Sequence, residues 1–145
     1  MSCFFDTSAL IKRYIDEDGS DAVEEILGEQ DEIIVSPITK IECFSVIKRL
    51  LLEKAIIKKN YDLLSKEIAY DFKFFSIIDF SDILEKQALK LVDRYQLKPL
   101  DSIQLASCLL AKKEISYMVA CDDKLIYSSK KEGLRIINPI KISNP

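Results

Sequence analysis

The chain has 145 residues, 48% of them hydrophobic and 31% charged, enough for one compact domain with its own core and too apolar for a disordered chain. It contains no histidine and no tryptophan, and Gly19, Gly28 and Gly133 are its only glycines; histidine-assisted nucleophiles, histidine-ligated zinc, histidine general bases and glycine-rich phosphate loops are excluded. A net charge of −3 argues against coating nucleic acid by bulk charge, and leaves a local basic face or bound cations open.

In chain order, Ser2 to Phe5 reads as a short buried strand, followed by a helix from Ser8 to about Ile15 and another from Ser20 to about Gly28. Glu32 to Ser36 is the next strand, and Ser36-Pro37 supplies an N-cap and a first-position proline for a long helix reaching about Leu52. A further helix runs from about Lys58 to Phe75, Ser76 to Asp79 is a strand, Ser81 caps a helix to about Tyr95, and Pro99 opens one to about Lys112. Tyr117 to Ala120 is a strand and Asp123 to Glu132 a helix closed by Gly133. Leu134 to Ile137 is the last strand before Asn138-Pro139. Apolar strands separated by helices predict an α/β fold: a single-domain α/β/α sandwich over 1–145 around a mostly parallel sheet of about five strands.

Cys3, Cys43, Cys108 and Cys121 contain no Cys-x-x-Cys pair and sit in apolar segments, as small hydrophobes in a reduced cytoplasm do. The start Met1-Ser2-Cys3-Phe4-Phe5-Asp6 lacks the basic residues of a signal peptide, and no apolar run approaches a membrane span, so a soluble cytoplasmic protein is expected.

In open parallel sheets chemistry is placed at the carboxyl ends of the strands. Asp6 follows the first strand and Asp122 a later one, so both fall on that edge; either alone is also explained as a helix N-cap. Asp101-Ser102-Ile103-Gln104 has the spacing of a capping box. Glu42, counted from Pro37, lies one and a half turns inside its helix, too deep to cap. Ile38 and Val46 flank it at four-residue spacing, which puts it at the border of the core, leaning toward the same edge. Four carboxylates around one pocket repel one another unless cations neutralise them, and an all-oxygen site suits Mg²⁺ or Mn²⁺. Such a site can activate water for phosphodiester hydrolysis, and two such ions would turn the formal −3 into +1.

The segments Phe5-Asp6-Thr7-Ser8-Ala9-Leu10-Ile11, Ser36-Pro37-Ile38-Thr39-Lys40-Ile41-Glu42, Leu100-Asp101-Ser102-Ile103-Gln104-Leu105-Ala106 and Val119-Ala120-Cys121-Asp122-Asp123-Lys124-Leu125 resemble, in order and spacing, the four acidic motifs of the PIN-domain nucleases. Gly133-Leu134-Arg135-Ile136-Ile137-Asn138-Pro139 resembles that family's last strand. A chain of this length is most similar to a VapC-type toxin of a toxin–antitoxin pair. The resemblance implies a Mg²⁺- or Mn²⁺-dependent endoribonuclease, a homodimer silenced by a small antitoxin that inserts a segment into or beside the pocket. It implies that Asp6, Glu42, Asp101 and Asp122 are the metal-binding and catalytic acids, Asp123 an auxiliary ligand, and Thr7 or Ser8 groups that orient a ligand or water. The chain departs from the pattern in carrying Gln104 where many relatives have His, Ser102 where many have Ala, and no hydroxyl residue close after the fourth acid.

Two other classes fit the sequence less well. An aspartyl-phosphate phosphatase needs a second Asp two residues after the first, where Ser8 stands, and a receiver domain wants paired acids at its first strand. An inert interaction module of the same fold would tolerate loss of an acid, and all four are present. Lys12, Arg13, Lys40, Lys98 and Lys124 lie near the expected pocket as candidate phosphate contacts. Lys58-Lys59, Lys112-Lys113 and Lys130-Lys131 read as helix-end charges without a role. The aromatic cluster Tyr70, Phe72, Phe74 and Phe75 reads as core or interface packing rather than base stacking.

Overall fold

β1, Ser2–Phe5, is apolar on both faces, and Cys3, Phe4 and Phe5 are fully buried. A strand of that kind belongs at the middle of a sheet covered on both sides. The computed structural model describes residues 1–142 and places β1 there, in an all-parallel sheet of order β3-β2-β1-β4-β5. The other strands are β2 (Glu32–Val35), β3 (Ser76–Ile77), β4 (Tyr117–Val119) and β5 (Ile136–Ile137). Side chains alternate between two cores. Cys3, Phe5, Ile33, Val35 and Val119 face one layer, and Phe4, Ile34, Met118 and Ala120 face the other.

The first layer comprises α1 (Thr7–Leu10) with its continuing 3₁₀ turn (Ile11–Arg13), α2 (Ser20–Glu29), α3 (Thr39–Leu52) and α4 (Lys58–Asp71). The second comprises α5 (Asp82–Tyr95), α6 (Pro99–Leu110) and α7 (Asp123–Lys131), with α5 packed along α6. A last turn, α8 (Pro139–Ile142), lies against α2. The α/β/α class, the five strands and their parallel direction agree with the sequence reading. Cys3, Cys43 and Cys108 are buried free thiols, and Cys121 is partly buried. Among the described residues no helix is long and apolar enough to cross a membrane.

The differences are local. The helix expected over Ser8 to Ile15 is one α-turn from Thr7 and then a 3₁₀ turn. Ser36 does not open α3 at Pro37: its Oγ accepts from the Ile38 N–H (3.2 Å), and the helix begins at Thr39. α4 stops at Asp71 instead of Phe75, and β3 and β5 keep two residues each. Asn138-Pro139, expected only to follow the last strand, starts α8: Asn138 Oδ1 accepts from the Ile140 N–H (3.1 Å), and proline takes the first helical position. Gly133 closes α7 as expected. At φ 85° it lets its own N–H reach the Lys130 carbonyl and the Leu134 N–H reach that of Ser129, a Schellman ending.

Candidate active site

The chain adds strands outward from β1 to β3, then crosses back to lay β4 on the other side of β1. The strand order therefore reverses between β1 and β4, and a crevice opens beyond their carboxyl ends. The Asp6 N–H donates to the Val119 carbonyl (3.0 Å), so Asp6 leaves the sheet beside the end of β4.

Asp6 is the N-cap of α1. Its Oδ2 accepts from the Ser8 N–H (3.2 Å) and from the Ser8 hydroxyl, and Ser8 Oγ in turn accepts from the Cys121 N–H (3.1 Å). The capping explanation is thus correct, but it accounts for only part of the residue, because Asp6 is 4% exposed. Burial pushes its carboxyl up to about 7; the two bonds from Ser8 oppose this, and the charges of Glu42 and Asp101 add to it.

Glu42 lies in the first turn of α3, since that helix starts two residues later than counting from Pro37 suggests. It caps nothing. Its Oε1 accepts from the Thr7 hydroxyl (2.7 Å) and from Gln104 Nε2 (2.7 Å). The same Nε2 approaches Thr7 Oγ1 (2.9 Å) and Thr39 Oγ1 (3.1 Å), and the Ser36 and Thr39 hydroxyls are 2.9 Å apart. Gln104 is buried, and its Oε1 has no hydrogen-bonding partner among the described residues.

Asp101 is not a cap. α6 begins at Pro99, Lys98 occupies the N-cap position without a side-chain bond, and Asp101 sits half-buried within the first turn. The capping-box expectation fails with it: Gln104 bonds Thr7, Thr39 and Glu42, each more than sixty positions away in sequence. Burial, then Asp122 and Glu42, raise the Asp101 carboxyl above its ordinary value, opposed by Lys98 and Lys124. Asp122 is the N-cap of α7, with Oδ1 accepting from the Leu125 N–H (2.8 Å), and its side chain is exposed.

The four acids thus lie within electrostatic reach of one another along one edge: Asp6 with Glu42 and Asp101, and Asp101 with Glu42 and Asp122. They have not closed into a cage. Among the described residues no three Asp, Glu, Cys or His side chains are gathered tightly enough to hold a metal ion as they stand. Of the flanking candidates, Thr7 and Ser8 bond directly to Glu42 and Asp6, whereas Asp123 lines a separate cleft with Lys130, Ile137 and Asn138.

The basic residues divide. Lys12 is buried and pairs with Glu17 (2.9 Å), and Arg13 pairs with Asp71 (2.6 Å) and Glu24 (3.0 Å), so these two are committed internally. Lys40, Lys98 and Lys124 are exposed. Thr39 and Gln104 are the site residues that sequence reasoning missed. The available signal was Gln104 itself, an amide one turn beyond Asp101 and followed by the apolar Leu105-Ala106.

Among solved structures, the toxin–antitoxin complex from Klebsiella pneumoniae is similar over 94% of this chain and 97% of that one, with 18% identity and a TM-score of 0.68. VapC20 of Mycobacterium tuberculosis, a sarcin-ricin-loop-cleaving toxin, is similar over 87% and 94%, with 14% identity and a TM-score of 0.67. VapBC2 of Rickettsia felis, bound to a DNA fragment from its promoter, is similar over 95% and 98%, with 16% identity and a TM-score of 0.65. At such identities the likeness is one of fold. No curated protein matches the sequence. The PIN domain family model matches residues 3–127, a span that runs from β1 through all four acids into α7, and the chain belongs to that family.

Proposed function

We propose that the protein is an endoribonuclease dependent on Mg²⁺ or Mn²⁺ and the toxin half of a toxin–antitoxin pair, with 1–145 as one catalytic domain. One observation carries the reading: Asp6 is buried within reach of the charges of Glu42 and Asp101 at the crevice where the strand order reverses, and Asp101 lies within reach of the charge of Asp122. Carboxylates placed so closely favour a proton or a cation. The donor set is all oxygen, which fits a hard divalent ion, and Asp6, Glu42, Asp101 and Asp122 would hold it. When bound, such an ion offsets charge on phosphate oxygens and lowers the pKa of a water that attacks phosphorus.

The chain's own residues do the rest. Ser8 fixes Asp6, and Thr7 with Gln104 fixes Glu42, so two acids keep their orientation before any ligand arrives. Asp123, next to Asp122 in sequence but lining a separate cleft, would serve as an auxiliary acid only by turning toward Asp122. Lys98 and Lys124 flank Asp101 and would draw a phosphate chain toward it. VapC20 supports RNA as the polymer, and the similarity to toxin–antitoxin complexes supports a small antitoxin as partner. The family resemblance likewise implies a homodimer.

The test is purified protein with total cellular RNA in Mg²⁺ or Mn²⁺, then in chelator, beside Asp6→Asn and Asp101→Asn. Chelation should stop cleavage. Each folded variant should lose more than the roughly 10–100-fold that removing a group which merely supports a ligand costs. Folded variants that cut as fast as the parent overturn the assignment, and a parent that cuts nothing under any metal leaves an inert interaction module.

A further inference from the structure

Beside Asp101 the surface opens into a trough. α5 ends at Tyr95, Gln96 takes a left-handed backbone at φ 57°, and the chain passes Leu97 and Lys98 into α6. Between this turn and α7 lies a cavity of about 490 Å³ lined by Arg94, Tyr95, Gln96, Lys124, Tyr127 and Lys131 among others. That volume lies in the range of sites that hold small organic ligands.

The lining has an ordered chemistry. Lys124, Tyr127 and Lys131 stand at i, i+3 and i+7 on α7 and form one stripe along it. The Tyr127 ring is 62% exposed, with Lys131 Nζ 5.5 Å from its centre. Lys124 is two residues past Asp122, close enough to act on Asp101, and its Nζ donates to the Gln96 carbonyl (3.1 Å), so it borders both the acidic edge and the trough. Arg94 and the Tyr95 hydroxyl are both bonded to Glu132 Oε2, which fixes the far wall and offsets the guanidinium charge. What remains is a largely exposed aromatic ring with the Lys131 ammonium over one face, between two lysines about 10 Å apart along the helix. Alternating charge and ring faces match alternating phosphates and bases.

We propose that this trough is a subsite for a nucleotide of single-stranded RNA next to the reacting phosphate, with its base on Tyr127 and its phosphates on Lys124 and Lys131. The proposal rests on reading the acidic edge as the nuclease centre. A duplex is excluded as the occupant because its bases present no free faces to a ring, whereas an unpaired base stacks on one whatever its identity. Lys131, read from sequence as a helix-end charge, thereby acquires a ligand.

The experiment is fluorescence anisotropy of the full chain with a short labelled RNA strand of mixed sequence, in chelator so that nothing is cut. Tyr127→Ala should weaken binding about five-fold or more, and Tyr127→Phe, which keeps the ring, should not. Lys131→Gln should reduce the slope of log affinity against log salt by about 0.7, while Lys66→Gln, exposed on α4 in the other helical layer, should leave it unchanged. Melting curves verify that each exposed-site variant is folded. Binding by Tyr127→Ala and Lys131→Gln equal to the parent's overturns the subsite. So does equal competition by a duplex, or a glutamate-rich peptide whose binding needs Tyr127 while that of RNA does not. Cleavage in Mg²⁺ separates the two readings. If Asp6→Asn cuts like the parent while Tyr127→Ala still binds poorly, the catalytic reading falls and the trough stands; the converse pattern removes the trough alone.

Discussion

Asp6 caps a helix and is buried, and only the first of these favours its charged form. Its carboxyl, raised to about 7 from an ordinary value of 3.8, is deprotonated more readily in the unfolded chain than in the fold. Its contribution to stability is therefore complete below about pH 4 and declines as pH rises, levelling off above about pH 7. In chelator, Asp6→Asn should melt several degrees above the parent near pH 8, with the difference shrinking toward pH 4. Differential scanning fluorimetry across that range checks it; a variant less stable by the same amount at every pH would show that the capping bonds outweigh the buried charge. The acid was legible in the sequence because it follows an apolar strand. The shell that holds Glu42 was not. Gln104 reaches Thr7 across 97 positions and Thr39 across 65, and no local spacing encodes a side-chain bond of that span.

At the level of elements, the 3₁₀ turn after α1 is tied to the end of α4 by one carboxylate. Asp71 Oδ2 accepts from Arg13 Nε (2.6 Å) and from the Tyr14 hydroxyl (2.8 Å), and Asp71 is 8% exposed. Burial and the adjoining carboxylate hold the Tyr14 phenol well above its usual range, so its proton stays in the bond. Asp71→Ala leaves a half-buried guanidinium paired only with Glu24 and a buried hydroxyl without its acceptor, and should cost about 2–3 kcal/mol in urea unfolding. Tyr14→Phe removes one bond and should cost about 1 kcal/mol. Equal and negligible losses would mean that water replaces the carboxylate freely. This pair also explains a misplaced boundary. The run Tyr70 to Phe75 looks helical by its apolar content, yet the helix stops at Asp71. Phe72 then turns into the core edge-on to Phe75 (centroids 5.0 Å apart), while Tyr70 and Phe74 stay outside as a second pair. α8 was missed for a different reason. Asn-Pro serves equally to stop a strand and to start a helix, and only the position of α2 beneath it decides.

Over the whole molecule, the crossover from β3 back to β4 is what brings acids 116 positions apart, Asp6 and Asp122, to adjacent strand ends. The parallel direction of the strands was legible from the alternation of buried strands and helices, and with it the edge that both acids share; the strand order was not. The closeness of the carboxylates was not, because it depends on where α3 and α6 begin. An edge assembled only by folding couples ion binding to stability: an ion that binds the native carboxylates and not the unfolded chain stabilises by about 2.7 kcal/mol at a hundred times its dissociation constant. Millimolar Mg²⁺ or Mn²⁺ should therefore raise the melting temperature, most strongly near pH 8, where Asp6 is ionised. Screening by any salt also relieves repulsion among the acids, so the comparison is with sodium chloride at matched ionic strength. Asp6→Asn starts from a higher melting temperature in chelator and should gain less from the divalent ion, because the charge that the ion would neutralise is already gone. A parent that responds no more to Mg²⁺ or Mn²⁺ than to sodium, or a variant that responds as fully as the parent, would place any ion elsewhere than at Asp6.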